Sequence, residues 1–190
     1  MGNRSASQDY DLVQRINEGD TEAFRELAEK HKDVSLSLAC SILKDGEKAE
    51  DALQDAFIKV FQKIHSFEFK SSFATWLYRI VVNTCYNALK KQKDAMDIRS
   101  VEHDLVRSPE AIRSITGEER KKYILLALQR LRPDESLALR LFYLCELSID
   151  EMAEITGFGT SKIKVDLHRG RDNLYFHLKR MLGDEMNQLL

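Results

Sequence analysis

The stretch Ser148-Ile149-Asp150-Glu151-Met152-Ala153-Glu154-Ile155-Thr156-Gly157-Phe158-Gly159-Thr160-Ser161-Lys162-Ile163-Lys164-Val165-Asp166-Leu167-His168-Arg169-Gly170-Arg171 spells two helices and the turn between them. Ser148 followed three residues later by Glu151 has the form of a capping box and predicts a short helix through Met152, Ala153 and Ile155. Gly157-Phe158-Gly159 interrupts it, and Gly157 suits the left-handed backbone that a tight turn requires. A second helix from about Thr160 places Ile163 and Leu167 inward. It leaves Ser161, Lys162, Lys164, Val165, Asp166, His168 and Arg169 outward. A capped helix, a glycine-bounded turn and a basic second helix make a helix-turn-helix. Its second helix has the chemistry to enter a major groove: lysines and a helix N-terminus for phosphates, Ser161, Lys162 and Val165 for base edges. A helical hairpin with a decorated exterior is the bland alternative.

Helical periodicity extends outward from this motif through nearly the whole chain. Upstream, Ile124, Leu125, Leu128 and Leu131 form a stripe stopped by Pro133, and a helix from about Asp134 carries Leu137, Leu141, Tyr143 and Leu144. Downstream, the helix from Thr160 continues its stripe through Gly170, Leu174, Leu178 and Met181. Near the N-terminus, Leu12, Val13 and Ile16 form a short stripe ended by Gly19. Asp20 or Thr21 then caps a helix with Phe24, Leu27, Ala28, His31, Leu38 and Ile42 on one face. After a break at Asp45-Gly46 comes the most regular stripe: Ala49, Ala52, Leu53, Ala56, Phe57, Val60, Phe61 and Ile64. Ser71 or Ser72 opens a fourth helix, with Phe73, Leu77, Ile80, Val81, Thr84 and Ala88 inward. The expected fold is all-α, with a four-helix bundle over residues 9–91 and a helix-turn-helix domain over residues 118–186. Residues 92–117 lose the pattern and read as a flexible linker, with a helical turn near Pro109. As a coil it spans about 28 Å, and at most about 85 Å extended.

Composition narrows the class. Eight Gly and two Pro in 190 residues exclude turn-rich all-β and collagen-like folds. Apolar runs such as Ile124–Leu128 and Leu141–Cys145 are far shorter than the ~18 residues of a membrane span, and the first residues lack an apolar signal region. A cytoplasmic protein without membrane contact is expected. Cys40, Cys85 and Cys145 are far apart, with no CxxC, no zinc spacing and no HExxH motif, so no metal and no cofactor are expected. There is no glycine-rich phosphate loop and no arguable Ser/His/Asp set. An enzyme is not expected and no catalytic residue is assigned.

The net charge of −2 hides local segregation. Phe69–Lys93 holds Lys70, Arg79, Lys90, Lys91 and Lys93 with no acid, and Thr160–Leu182 holds Lys162, Lys164, Arg169, Arg171, Lys179 and Arg180 against Asp166 and Asp172. Acid is gathered in Asp45–Asp55 and in Asp134–Glu154, where Arg140 is the lone base. Two basic surfaces and two acidic ones fit a protein that holds a polyanion at two places and a protein partner elsewhere. Any one patch alone fits a solvated helix face equally well.

Two further constellations stand on helices. Arg79, Asn83, Asn87 and Lys90 recur at spacings of four, four and three on one face of the fourth helix, among Phe67, Phe69, Phe73, Trp76, Tyr78 and Tyr86. Amides, cations and interleaved rings are the chemistry of single-stranded nucleic acid binding. Some of those rings also suit a core. On the third helix, Glu47, Asp51, Gln54 and Asp55, continued by Ile58 and Gln62, make an acidic strip with a stranded aliphatic residue, suited to a basic protein partner.

At this point the chain resembles the extracytoplasmic-function (ECF) group of bacterial RNA polymerase sigma factors over essentially its full length. The matching stretches are Gly19-Asp20 to Ala23-Phe24, Ala49–Phe57, Phe73–Ile80 with Asn83, Leu131-Arg132-Pro133, Ser148–Ala153, and Lys164 with Leu167–Arg171. The resemblance implies that residues 9–91 are region 2, docking on the polymerase core through Asp51, Gln54, Asp55, Phe57 and Ile58. It implies that Phe67, Lys70, Trp76, Arg79, Asn83, Asn87 and Lys90 recognise and open the −10 promoter element as single strand, Asn83 lying near a flipped-out base. Region 4, residues 118–186, then sets Ser161, Lys162, Lys164, Val165, His168, Arg169 and Arg171 against the −35 duplex. An anti-sigma factor is a further implied partner. The chain departs from the family pattern at Asp166, which can pair with Lys162, and at Gly170, where alanine is usual. Two rival functions remain open at this point: a self-sufficient helix-turn-helix regulator with a ligand pocket beside Asn83, and a helical adaptor with no nucleic acid role.

Overall fold

Side-chain caps at Asp20, Asp45, Ser72 and Ser148 each open a helix. The computed structural model describes residues 2–95 and 117–183. Most of the expected linker, the turn near Pro109 and residues 184–186 lie outside the described residues. The N-terminal part comprises α1 (Gly2–Asn17), α2 (Thr21–Leu43), α3 (Gly46–Lys63) and α4 (Phe73–Ala95), with a 3-10 turn at Ile64–Ser66. The C-terminal part comprises α5 (Gly117–Arg130), α6 (Pro133–Leu139), α7 (Ile149–Thr156) and α8 (Thr160–Leu182), with α6 running on into a π-helical turn at Arg140–Leu144. No strand occurs among the described residues.

Asp20 caps α2, its carboxylate accepting from the amides of Glu22 and Ala23 at 3.0 and 3.2 Å. Asp45 caps α3 through the Lys48 amide at 3.3 Å. Of the two serines before α4, Ser72 is the cap, accepting from the Thr75 amide at 3.0 Å. The break before Asp45-Gly46 is made by Lys44, which takes the left-handed conformation at φ 56° and closes α2 with a bond from its amide to the Cys40 carbonyl.

Leu27, Leu38, Val60, Leu77 and Val81 are buried among the four N-terminal helices, as their spacing requires. Buried aliphatic side chains of this kind contribute ~1.5–3 kcal/mol each. His31, on the same stripe, is satisfied rather than idle: its Nε2 lies 3.1 Å from Asp9, which also pairs with Lys30 at 2.6 Å. Burial pushes the Asp9 carboxyl up, but the hydrogen bonds from His31 and Lys30 outweigh it and hold the group below the ordinary 3.8.

Four expectations about the core are corrected. Phe61 lies at the rim, half exposed, with its ring edge against Phe24 at 4.9 Å. On α5, Ile124 and Leu125 are exposed and Tyr123 and Ala127 are buried in their place, while Leu128 and Leu131 face inward as expected. Tyr143 and Leu144 also face solvent. The π-helical turn explains them: closing the Cys145 amide on the Arg140 carbonyl inserts one extra residue and rotates everything beyond Leu141.

Whether the two helical units touch was open in the sequence. They do: α2 packs on α6 and α4 on α7, and one apolar cluster runs from Leu12 on α1 to Leu167 on α8.

Candidate nucleic-acid interface

The helix-turn-helix forms as its local chemistry dictates. The Ser148 amide donates to the Glu151 carboxylate at 2.8 Å while the Glu151 amide donates to Ser148 Oγ at 3.3 Å. Gly157 closes α7 at φ 71°, its amide bonded to the Ala153 carbonyl. Gly159 opens α8 with no side-chain cap, so the first amides of α8 keep their donors for an outside acceptor. Ile163 and Leu167 are buried, and Ser161, Lys164, Val165, His168 and Arg169 are exposed.

The basic residues on α8 are not equivalent. Lys162 is held by two carboxylates, Asp134 at 2.7 Å and Asp166 at 2.6 Å, above the Phe158 ring. Burial lowers its affinity for the proton, but the two carboxylates more than reverse this and raise its pKa. The departure at Asp166 is thus an intrahelical partner for Lys162 at i−4. Arg171 donates to the Tyr143 hydroxyl at 2.8 Å and packs over Phe142 and Tyr143. His168 pairs with Asp172 at 2.9 Å. Lys164 and Arg169 have no hydrogen bond or ion pair among the described residues, so in the helix-turn-helix half of α8 they are the cations available to a phosphate; Lys179 and Arg180 are exposed at its far end.

On α4, Arg79, Asn83, Asn87 and Lys90 are all exposed along one strip, opposite buried Leu77, Val81 and Cys85. Arg79 is engaged by α7: its Nε donates to the Glu154 carbonyl at 3.1 Å, and its Nη1 lies 3.2 Å from the Glu154 carboxylate. The loop before α4 sorts its rings by depth. Phe67 is buried and packs against Phe73 and Trp76, while Trp76 is half-buried. The ring that reaches solvent is Phe69, packed at a tilt against the half-exposed Tyr10 of α1 with centroids 4.8 Å apart, and adjoining Lys70, which pairs with Glu68. Phe69 has φ 56°, a left-handed backbone that is strained for an aromatic residue and is held here by its neighbours' rings. Tyr10 has no place in the sequence pattern of the site, and Phe69 enters it only as one of six rings around the α4 strip, with nothing to distinguish it as the exposed one. An aromatic at an unpaired position of α1 was the available signal for Tyr10; nothing local announces a positive φ at a phenylalanine.

The α3 strip is in place as well. Asp51, Gln54, Asp55 and Ile58 are exposed, and Phe57 is half-buried at its edge. Burial pushes the Cys85 and Cys145 thiols up to about 12 and raises Cys40 above its ordinary 9.0, which favours the protonated thiol over the nucleophilic thiolate. Among the described residues no His, Cys, Asp and Glu group could hold a metal, and no helix is long and apolar enough to cross a membrane.

Comparison with known proteins places these surfaces in a family context. The family model for sigma-70 region 2 matches residues 27–95, and that for sigma-70 region 4 matches residues 121–174. The ECF RNA polymerase sigma-E factor of Escherichia coli (strain K12) is 30% identical over 174 residues, covering 86% of this chain and 91% of the relative. The RNA polymerase sigma-H factor of Pseudomonas aeruginosa is 28% identical over 188 residues, covering 93% and 97%. Among solved structures, the sigma factor RpoE of Bartonella quintana, in complex with the anti-sigma factor NepR, is similar with a TM-score of 0.59 at 26% identity, covering 82% of this chain and 98% of that one.

Proposed function

The chain belongs to the ECF sigma factors, transcription initiation factors that direct promoter recognition, and we propose from that premise how its surfaces divide the work. The domain over residues 9–91 docks on RNA polymerase core through Asp51, Gln54, Asp55, Phe57 and Ile58. Its α4 strip of Arg79, Asn83, Asn87 and Lys90 captures the −10 element as single strand. The domain over residues 118–186 reads the −35 duplex with α8, where Lys164 and Arg169 bind phosphates and Ser161 and Val165 meet base edges. Lys162, His168 and Arg171 act at the edge of that surface, each already paired within the domain. The chain works in the cytoplasm, without enzymatic activity of its own, and an anti-sigma factor is a fitting regulator. Phe67 and Trp76 support the strand-capturing loop from below, Lys70 steers the backbone, and the exposed Tyr10–Phe69 pair supplies a stacking surface.

The observation that carries this reading is the α4 strip. Two amides lie between two cations on one exposed helix face, with half-buried Trp76 and Tyr86 on the same helix and no core to fill. Stacking is worth ~1–3 kcal/mol per base, enough to offset the few kcal/mol of extruding one. The test is in vitro transcription with core polymerase on a promoter library. Asn83→Ala is expected to cut promoter opening at least tenfold, Arg169→Ala to weaken −35 duplex binding, and Asp55→Ala to weaken polymerase association. Unchanged transcription with all three would remove the assignments. Specific duplex binding at full strength without polymerase would favour a self-sufficient regulator.

A further inference from the structure

Helix α1 lies outside the segment matched by the region 2 family model, which begins at residue 27, yet it reaches the loop that leads into α4. Its rotation about its own axis is fixed by Asp9. That carboxylate is 4% exposed and is held by two residues of α2, Lys30 at 2.6 Å and His31 at 3.1 Å. Lys30 also donates to Gln8 at 3.2 Å. Each residue of a helix is turned about 100° from the one before it. With Asp9 set into α2, Tyr10 is carried round to the loop and meets Phe69 there, with centroids 4.8 Å apart.

From Tyr10 the rings form an unbroken row. Phe69 lies 4.7 Å from Phe67, and Phe67 lies 5.2 Å from Trp76, centroid to centroid, so four rings connect α1 to the first turn of α4. Trp76 is one helical turn from Arg79, where the strip of Arg79, Asn83, Asn87 and Lys90 begins. Exposure rises along the row toward α1, from 7% at Phe67 to 36% at Phe69 and 50% at Tyr10. Phe69 also holds φ 56°, a conformation that glycine adopts freely and an aromatic residue only at a cost. Strain kept at an exposed ring marks a side chain whose free face is used. Charge identifies the occupant: the row opens the acid-free stretch Phe69–Lys93, and Lys70, paired with Glu68, stands beside it. Rings set among cations suit a base on its phosphate backbone better than an apolar peptide.

We infer that Tyr10 is a further strand-capturing residue, contributed by α1: with Phe69 it forms a two-ring platform beyond the end of the α4 strip, on which one base of the opened −10 strand stacks. The role rests on the −10 assignment made above and adds to it a seat that reads the flatness of a base rather than its identity. Every base has a π-face, so the platform adds affinity at one position of the strand without sequence preference. The amides of Asn83 and Asn87 supply the hydrogen bonds that read identity elsewhere on the same strand.

The test uses holoenzyme and a fork-junction probe, a duplex −35 element joined to a single-stranded −10 segment, with an abasic nucleotide moved through that segment one position at a time. On the intact probe Tyr10→Ala is expected to weaken equilibrium binding about fivefold or more, and Tyr10→Phe, which keeps the ring, to stay within about twofold of the parent. At one abasic position the parent should lose as much, and Tyr10→Ala should lose nothing further there. Exchanging the base at that position for any other should cost less than removing it. Phe69→Gly, which takes the left-handed backbone without strain, is expected to show the same loss coupled to the same position. Binding by Tyr10→Ala within about twofold of the parent, or a loss that is equal at every abasic position, overturns the inference. If Asn83→Ala still impairs promoter opening in that case, the −10 assignment stands without the platform; if it does not, both fall. Should Tyr10→Ala lower the urea midpoint, Tyr10→Leu keeps an apolar contact without an aromatic face and is held to the same criteria.

Discussion

Gly170 is where α8 comes nearest to α6: a Cβ there would lie 3.1 Å from Leu139 Cγ and 3.3 Å from the Glu135 carbonyl oxygen. By sequence this glycine is a cost of about 1 kcal/mol in helix propensity. By structure it is the residue that lets two helices approach, and an added methyl would already press on Leu139. Gly170→Val, with two more carbons and a stiff χ1, is expected to destabilise the protein by about 2 kcal/mol in urea denaturation. The same scale separates the α8 cations. Which of Lys162, Lys164, Arg169 and Arg171 is available to a phosphate was not legible, because Asp134 and Tyr143 approach from outside the helix.

Among elements, α7 shows what local chemistry determines. Eight residues are too few for an isolated helix to persist, so its capping box and its packing must hold it together. Ser148→Ala removes the acceptor for the Glu151 amide and is expected to cost about 1 kcal/mol. Faster amide exchange confined to α7 and the following turn would register it; exchange unchanged there would show that packing alone holds the helix. Caps, turns and the positions of α2, α3, α4, α7 and α8 could be read because each depends on residues within one turn of the chain. The π-helical turn at Arg140–Leu144 could not, and it put Tyr143 and Leu144 on the wrong side of the expected stripe. The turn sits where Arg140 meets Ser37 of α2, a contact no local pattern records. The exposure of Ile124 and Leu125 has a similar origin: Tyr123 packs on Leu182 from α8, so they turn outward.

At the scale of the molecule, the seam between the two domains is a titratable object. Lys44 keeps solvent exposure, but desolvation of its ammonium against the end of α5, reinforced by the Arg140 charge, lowers it to about 8 from its ordinary 10.5, at a cost that solvent screens in part. The unfolded chain therefore holds more protons at this site between pH 8 and 10.5, and stability gains from Lys44 across that window; below pH 8 the cost is present in full. Cys85 and Cys145, raised by burial to about 12, act the other way once pH passes their ordinary 9.0. The clean interval is pH 8 to 9. There the urea midpoint is expected to rise in the parent relative to Lys44→Met, and parallel profiles for the two would refute a role for Lys44.

The amino-acid order alone determined the helices, their caps, the helix-turn-helix and the residue types facing outward on α3, α4 and α8, since side-chain period and capping are short-range properties of the backbone. It left undecided which outward residues meet each other. That Arg79 is held by Glu154, that Arg140 is buried beside Ser37, and that Phe69 rather than Phe67 presents its ring were settled by packing. Contacts between residues separated by scores of positions depend on how two apolar surfaces fit, and a linear pattern contains the surfaces without the fit.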